Sequence, residues 1–353
     1  MQPHHDRLLH AFRGFAILFI VLIHGFGFMI SYAGNEPPEI RVGIFYTLNE
    51  ILLHNGTIFF ALISGILFSH VLAKKGWLYF FKSKLLNVVF PYLFFTLVFT
   101  FFYWEVSGGP QLIVYSGGVV EFLQKVSVHF LTGGAIFSFW YIPVLLVLYL
   151  LTPLLFSIIK NKNLHWLIIP LALMPLVTSR FWPDIVWTNF AYFIGVYTVG
   201  LYAGANYPEI IKKLDSHVVV LTSIAITTTI ILGLMFLYKI DKWQFISLRE
   251  SVWYIQKLAF ASLLLVLSKR YIEKIPAFIY TLGNYAFPIY FMHGYFMWAI
   301  YALLIWLDSQ MTNHLLMIFS CVAMVFVVTV FCLMISKIFQ LLFKRWSRQL
   351  IGV

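Results

Sequence analysis

The sequence predicts an all-α membrane protein: a bundle of about ten transmembrane helices, both termini cytoplasmic, forming one integral domain over residues 1–353. Three observations predict this. First, residues of the AVILMFWYC set make up 61% of the chain and charged residues only 10%, against about 45–50% and about 25% in soluble domains. Too few charges remain to cover a water-facing surface of this size. That excludes a soluble enzyme, a disordered chain, a coiled coil and a nucleic-acid-binding domain. Second, the apolar residues fall in runs of spanning length. Third, the net charge of +11 comes from short Lys and Arg clusters between those runs, as in the cytoplasmic loops of membrane proteins.

In chain order the runs are 11–31, 48–72, 85–105, 138–159, 164–180, 187–205, 218–238, 249–267, 277–304 and 314–339. The first is longer than a signal-peptide core and reads as a span. The fifth and sixth are the weakest. They are short, contain Pro170 and Pro175, and meet at a Trp182-Pro183-Asp184 turn. With the N-terminus in the cytoplasm, sixteen Lys and Arg fall in inside loops and six in outside loops, which sets the orientation. The longest stretch between spans, 106–137, is then outside. It carries Gly108-Gly109-Pro110, Gly117-Gly118 and Gly133-Gly134 around an amphipathic middle near 119–131. It either covers an outward-facing acceptor site or lies on the lipid headgroups. Cys321 and Cys332 share one run, about 16 Å apart along a helix. No disulfide joins them, and no metal cage or zinc motif is present.

Ionisable groups inside spans are costly and mark function by default. Arg13 and His24 share the first span. Eleven residues are three turns, so both sit on one helix face about 16 Å apart. A guanidinium suits phosphate, although an arginine at a helix end also snorkels. An imidazole suits general-base work, although a buried histidine is also a structural hydrogen-bonder. His293 lies in the ninth span after Pro288, where a kink is expected. Ser64-Gly65 in the second span reads first as a packing pair. His54, His70 and Glu50 read as interfacial. Lys82 and Lys84 precede the third span, followed by Asn87 and Pro91, and suit either a polyphosphate or ordinary anchoring. Phe139-Trp140-Tyr141 suits either an interfacial aromatic belt or a sugar. The pair His4-His5 has no supporting ligands for a metal.

In order along the chain, these segments resemble the acyltransferase 3 family of multi-pass membrane proteins. The residues that carry the resemblance are Arg13-Gly14 with His24, Phe59-Phe60 to Ser64-Gly65, Phe81-Lys82 to Pro91-Tyr92, Trp140-Tyr141 to Tyr149 and Pro153, and Gly283-Asn284-Tyr285 to Tyr290 and His293. His10 stands where the family often has an acidic residue, lysines replace arginines at Lys82 and Lys84, and Ala286 replaces a serine. The resemblance implies an O-acyltransferase of the cytoplasmic (inner) membrane. It would move an acyl group, usually acetyl from acetyl-CoA, to a hydroxyl of a surface polysaccharide or lipid-linked glycan, with no metal. His24 would be the general base or a transient acyl carrier. Arg13, Lys82 and Lys84 would hold the donor's phosphates, and Ser64, Trp140 and His293 would line the pocket. A flippase or exporter of a lipid-linked sugar is the rival reading, with the same histidines as proton or substrate sites. An inactive scaffold is the third.

Overall fold

The computed structural model describes residues 4–33, 39–105, 111–180, 185–243, 246–307 and 314–353. It is helical throughout apart from two short hairpins. In chain order the helices are α1 (His4–Ala33), α2 (Glu39–Leu53), α3 (Thr57–Leu67), α4 (Trp77–Lys84), α5 (Phe90–Phe101), α6 (Val119–Thr132), α7 (Tyr141–Lys160) and α8 (Ile168–Val177). They continue with α9 (Trp187–Ala205), α10 (Tyr207–Ser216), α11 (Val218–Leu237), α12 (Leu248–Arg270), α13 (Ala277–Asn284), α14 (Ala286–Trp306), α15 (His314–Phe343) and α16 (Ser347–Ile351). Strands β1 (Phe102–Glu105) and β2 (Gln111–Val114) pair antiparallel, as do β3 (Lys242–Trp243) and β4 (Ile246–Ser247).

Among the described residues, eight helical segments are long and apolar enough to cross a membrane: Arg7–Ala33, Gly43–Lys75, Trp77–Phe101, Tyr141–Lys160, Val218–Leu237, Leu248–Arg270, Ala286–Trp306 and His314–Ile351. The protein is a multi-pass membrane protein. The two runs that fall short of the expected ten are the fifth and sixth. The fifth yields only the ten-residue α8, with Pro175 inside it, after a 3₁₀ turn at Lys162–Leu167. The Trp182-Pro183-Asp184 turn lies outside the described residues, as does Gly108-Gly109-Pro110. The sixth run is the full-length helix α9, but its buried face holds Asn189, Tyr192, Tyr197 and Thr198. Their polar groups are satisfied inside the protein: Asn55 donates to the Tyr192 hydroxyl at 3.2 Å, and Thr152 and Tyr197 share a bond of 2.9 Å. A helix shielded by protein does not need a lipid-grade hydropathy.

The chain divides into two compact units. The first comprises residues 1–16, 54–82 and 144–284. Its centre is the pair α3 and α9, which meet backbone to backbone. A Cβ added at Gly200 would lie 2.3 Å from the Leu62 carbonyl oxygen, and one at Gly204 would lie 2.5 Å from that of Ile66. Between membrane helices such close approach replaces the hydrophobic drive that water would supply. The same device joins the start of α1 to α13, where a Cβ at Gly14 would lie 2.0 Å from the Ile279 oxygen. The glycine of the Arg13-Gly14 pair is therefore a packing residue.

The second unit comprises residues 17–53, 83–143 and 285–353. A five-residue π turn, Leu85–Val89, enters α5. Its wider spacing relieves the clash that the Pro91 ring would make with the carbonyl one turn back. The expected kink at Pro288 is absent. The ninth run breaks instead at Tyr285, and Pro288 stands in the first turn of α14, where its missing N–H has no partner to lose. The amphipathic middle of the long stretch between spans is α6, which ends on Gly133 at φ 70°. Val119, Val120, Leu123 and Leu131 on α6 are exposed, the signature of a helix lying at a lipid interface.

Candidate active site

The second unit brings two of the sequence-predicted residues together. His24, half-buried on α1, packs its ring 5.4 Å from that of His293 on α14, with Phe137 edge-on to His24 at 4.9 Å. His293 is fully buried. Its Nδ1 lies 2.8 Å from the Tyr290 carbonyl oxygen and 3.0 Å from that of Ile289. A carbonyl only accepts, so Nδ1 carries the proton and Nε2 is a lone pair in the neutral ring. That Nε2 is buried and has no hydrogen-bond partner among the described residues. The same is true of the Ser138 Oγ in this unit, and the Ser138 main-chain carbonyl accepts from the Tyr290 hydroxyl at 2.5 Å. Gly294 permits this packing: a Cβ there would sit 2.9 Å from both the Phe137 ring and Ser138 Oγ. Buried polar atoms are normally bonded. A basic nitrogen left open in a ring that packs on a second histidine can take and hand on a proton.

On one side Phe137 touches His24, and on the other it walls a cavity of about 360 Å³ in the same unit. The other walls are aromatic, including Tyr103, Trp104, Tyr295 and Trp298, with Lys125 and His129 from α6. Trp298 in turn meets Phe28, four residues after His24 on α1, at 4.9 Å. His129 Nδ1 bonds Thr100 Oγ1 at 2.9 Å. Burial, and then the Lys125 charge, hold the His129 imidazole below its ordinary pKa. The charge on this wall near neutral pH therefore belongs to Lys125.

The other predicted residues are placed as follows. Arg13 is half-buried in the first unit, on the turn of α1 that meets α13. Lys82, exposed, belongs to the first unit and Lys84, half-buried, to the second. Both lie on α4, inside the helical segment Trp77–Phe101 and not ahead of it. Ser64 is half-buried on α3, next to the Gly65 that packs on α9. Trp140 is buried in the second unit, edge-on to Tyr141 at 5.9 Å. Among the described residues, no group of three or more His, Cys, Asp and Glu is placed to hold a metal.

Sequence reasoning missed a buried ionic cluster in the first unit. Arg180 Nε donates to both oxygens of Glu250, at 3.2 and 3.1 Å. Asn55, held at φ 67°, donates to Glu250 Oε2 at 2.7 Å. Arg180 Nη2 donates to His54 Nε2, and the His54 ring stacks on Trp253 at 4.0 Å. His54 is thus not merely interfacial. Ser247 caps α12 by accepting from the Glu250 N–H at 3.3 Å. In a capping box Glu250 would reach back to the Ser247 N–H. Ser179 Oγ accepts that N–H instead, at 2.7 Å, and the carboxylate is left for Arg180. A capping-box sequence, Ser247-Leu248-Arg249-Glu250, was the available signal, together with the rule that an acid in a span needs a partner.

A family model described as an acyltransferase domain matches residues 7–333. No curated protein and no solved structure matches the chain. The match runs from the first membrane helix into α15 and takes in both histidines and all the motif segments, so the chain belongs to the acyltransferase 3 family.

Proposed function

We propose that the protein is a membrane O-acyltransferase, specifically an O-acetyltransferase using acetyl-CoA, that acylates a hydroxyl of a surface polysaccharide or lipid-linked glycan. The observation that carries this reading is the His24–His293 pair, in which the Nε2 of His293 is a buried acceptor with no donor among the described residues. A sugar hydroxyl is a poor nucleophile near neutral pH. As its oxygen attacks the thioester carbonyl, the C–O bond forms, the C–S bond breaks, and the thiolate of CoA leaves. The hydroxyl proton must be held meanwhile and then passed to the thiolate. His24 is assigned as the base that takes it, and His293 supports that base. Arg13, Lys82 and Lys84 are assigned to the donor's phosphates, and Ser64 and Trp140 to the binding pocket. Lys82 and Lys84 are among the sixteen Lys and Arg counted as cytoplasmic, and that bias assigns both termini to the same side. A topology reporter fused at Gly117 should then register the outside, and a cytoplasmic signal there would reverse the assignment.

Purified protein given acetyl-CoA should release free CoA thiol at a rate that rises with added glycan acceptor. A flippase or exporter would release none. Arg13→Ala should weaken CoA binding about ten- to a hundred-fold, because a hydrogen bond to a charged group is worth roughly 1.5–3 kcal/mol. Unchanged CoA affinity in the folded variant would return Arg13 to an anchoring role.

A further inference from the structure

The aromatic cavity of the second unit has a chemistry that the acyl-transfer reading does not use. Its walls present the faces and edges of tyrosine, tryptophan and phenylalanine. Aromatic faces are electronegative and attract the slightly positive C–H face of a pyranose ring. At about 360 Å³ the cavity lies at the small end of ligand pockets, roughly 300–1,000 Å³, which suits a short glycan end and not a whole polymer.

Lys125 makes the cavity selective. It is half-buried, with Nζ 4.5 Å from the centre of the Tyr103 ring and 5.8 Å from that of Tyr115. Among the described residues it makes no ion pair. Glu121 lies one turn earlier on α6, and the nearby Tyr115 hydroxyl donates to the Gly118 carbonyl oxygen at 3.4 Å. No Asp or Glu lines the cavity among the described residues. An ammonium partly withdrawn from water, over ring faces and with no carboxylate among the described lining residues, is incompletely compensated. Trp104, in the same wall, has a buried indole N–H with no acceptor among the described residues. Both unmet groups are donors, so the complementary ligand brings acceptors and a negative charge.

We propose that this cavity binds an acidic sugar unit of the acceptor glycan, a pyranose carrying a carboxylate, with Lys125 as the anion contact and Tyr103, Trp104 and Tyr295 as the stacking walls. This rests on the acyltransferase reading for the word acceptor, but the binding site stands on its own geometry. Because Phe137 is shared with His24, and Trp298 reaches the same helix through Phe28, a hydroxyl of a sugar held there, or of its neighbour in the chain, is delivered toward the histidine.

The test is direct binding of two matched disaccharides to the full-length protein in neutral detergent, read by quenching of tryptophan fluorescence. Cellobiouronic acid should bind at least about tenfold more tightly than cellobiose, and added salt should narrow the gap. Lys125→Gln should abolish the preference while leaving CoA affinity unchanged, and Lys125→Arg should keep it. Equal binding of the two sugars, no binding of either, or a preference that survives Lys125→Gln would overturn the proposal. So would loss of the preference on adding phosphatidylglycerol, which would make Lys125 a lipid-phosphate contact. Thiol release separates the two readings. A preference without acyl transfer leaves the sugar site and removes the enzyme, and acyl transfer without a preference does the reverse.

Discussion

His24→Ala is expected to abolish acyl transfer while leaving expression and CoA binding near wild type. General-base catalysis supplies about 10²–10⁴-fold, so its loss should dominate the rate. His293→Ala should cost less, since its ring meets the reacting group through His24 in the proposed sequence. The comparison needs rates per folded molecule. If His24 only packs against Phe137 and His293, its alanine variant will express poorly and keep its specific rate. Near-normal turnover in a well-folded His24→Ala protein would end its assignment as the base. A larger loss in His293→Ala than in His24→Ala would move the base to the His293 Nε2, whose lone pair the two backbone carbonyls already fix.

The largest stability effect is expected at Glu250. Its side chain is 9% exposed and that of Arg180 10%, so neither charge has water to fall back on. Removing one partner of a buried pair costs about 3–5 kcal/mol, because the other charge is stranded. Glu250→Ala removes from the Arg180 guanidinium the carboxylate that its Nε bonds, and takes an acceptor away from Asn55. Thermal unfolding in detergent should show a large drop. The double variant Arg180→Ala/Glu250→Ala should lose much less than the sum of the two single losses. Additive losses would show that the two residues are not coupled.

Much of the fold was legible because the bilayer imposes one-dimensional rules. Spanning length and apolar content located α1, α7, α11 and α15 without any knowledge of their neighbours. The same rules flagged His24 and His293 as intramembrane ionisable groups. They failed where hydropathy depends on what surrounds a helix. Helix α9 reads as a weak span because its tyrosines, Asn189 and Thr198 face protein, and nothing within 187–205 reveals those partners. The ionic cluster was missed for a related reason. Counting Arg180 as a loop cation hid a pairing with a carboxylate 70 residues away. The cavity was missed because β1, read as the tail of a span, turns back through β2, and that return sets Tyr103 and Trp104 on its wall beside Lys125. Pro288 shows the opposite limit: the residue was seen, but whether a proline bends one helix or starts another is decided by Tyr285 before it.

The glycine contacts between α3 and α9 also bear on how the protein is made. Gly200 and Gly204 are four residues apart, and so are the Leu62 and Ile66 carbonyls they meet. The seam therefore repeats once per helical turn. A shift of one residue would drive Leu201 or Ala205 into backbone, so only whole-turn positions are sterically open, and a whole-turn slip leaves one of the two glycines without its partner. Yet α3 enters the bilayer long before α9 has been synthesised. During that interval α3 has nothing to pair with, and the first unit is completed only when a much later segment arrives. Biogenesis thus depends on a late docking event with a single acceptable depth, and a chain that stops short of α9 leaves α3 in the membrane without its template.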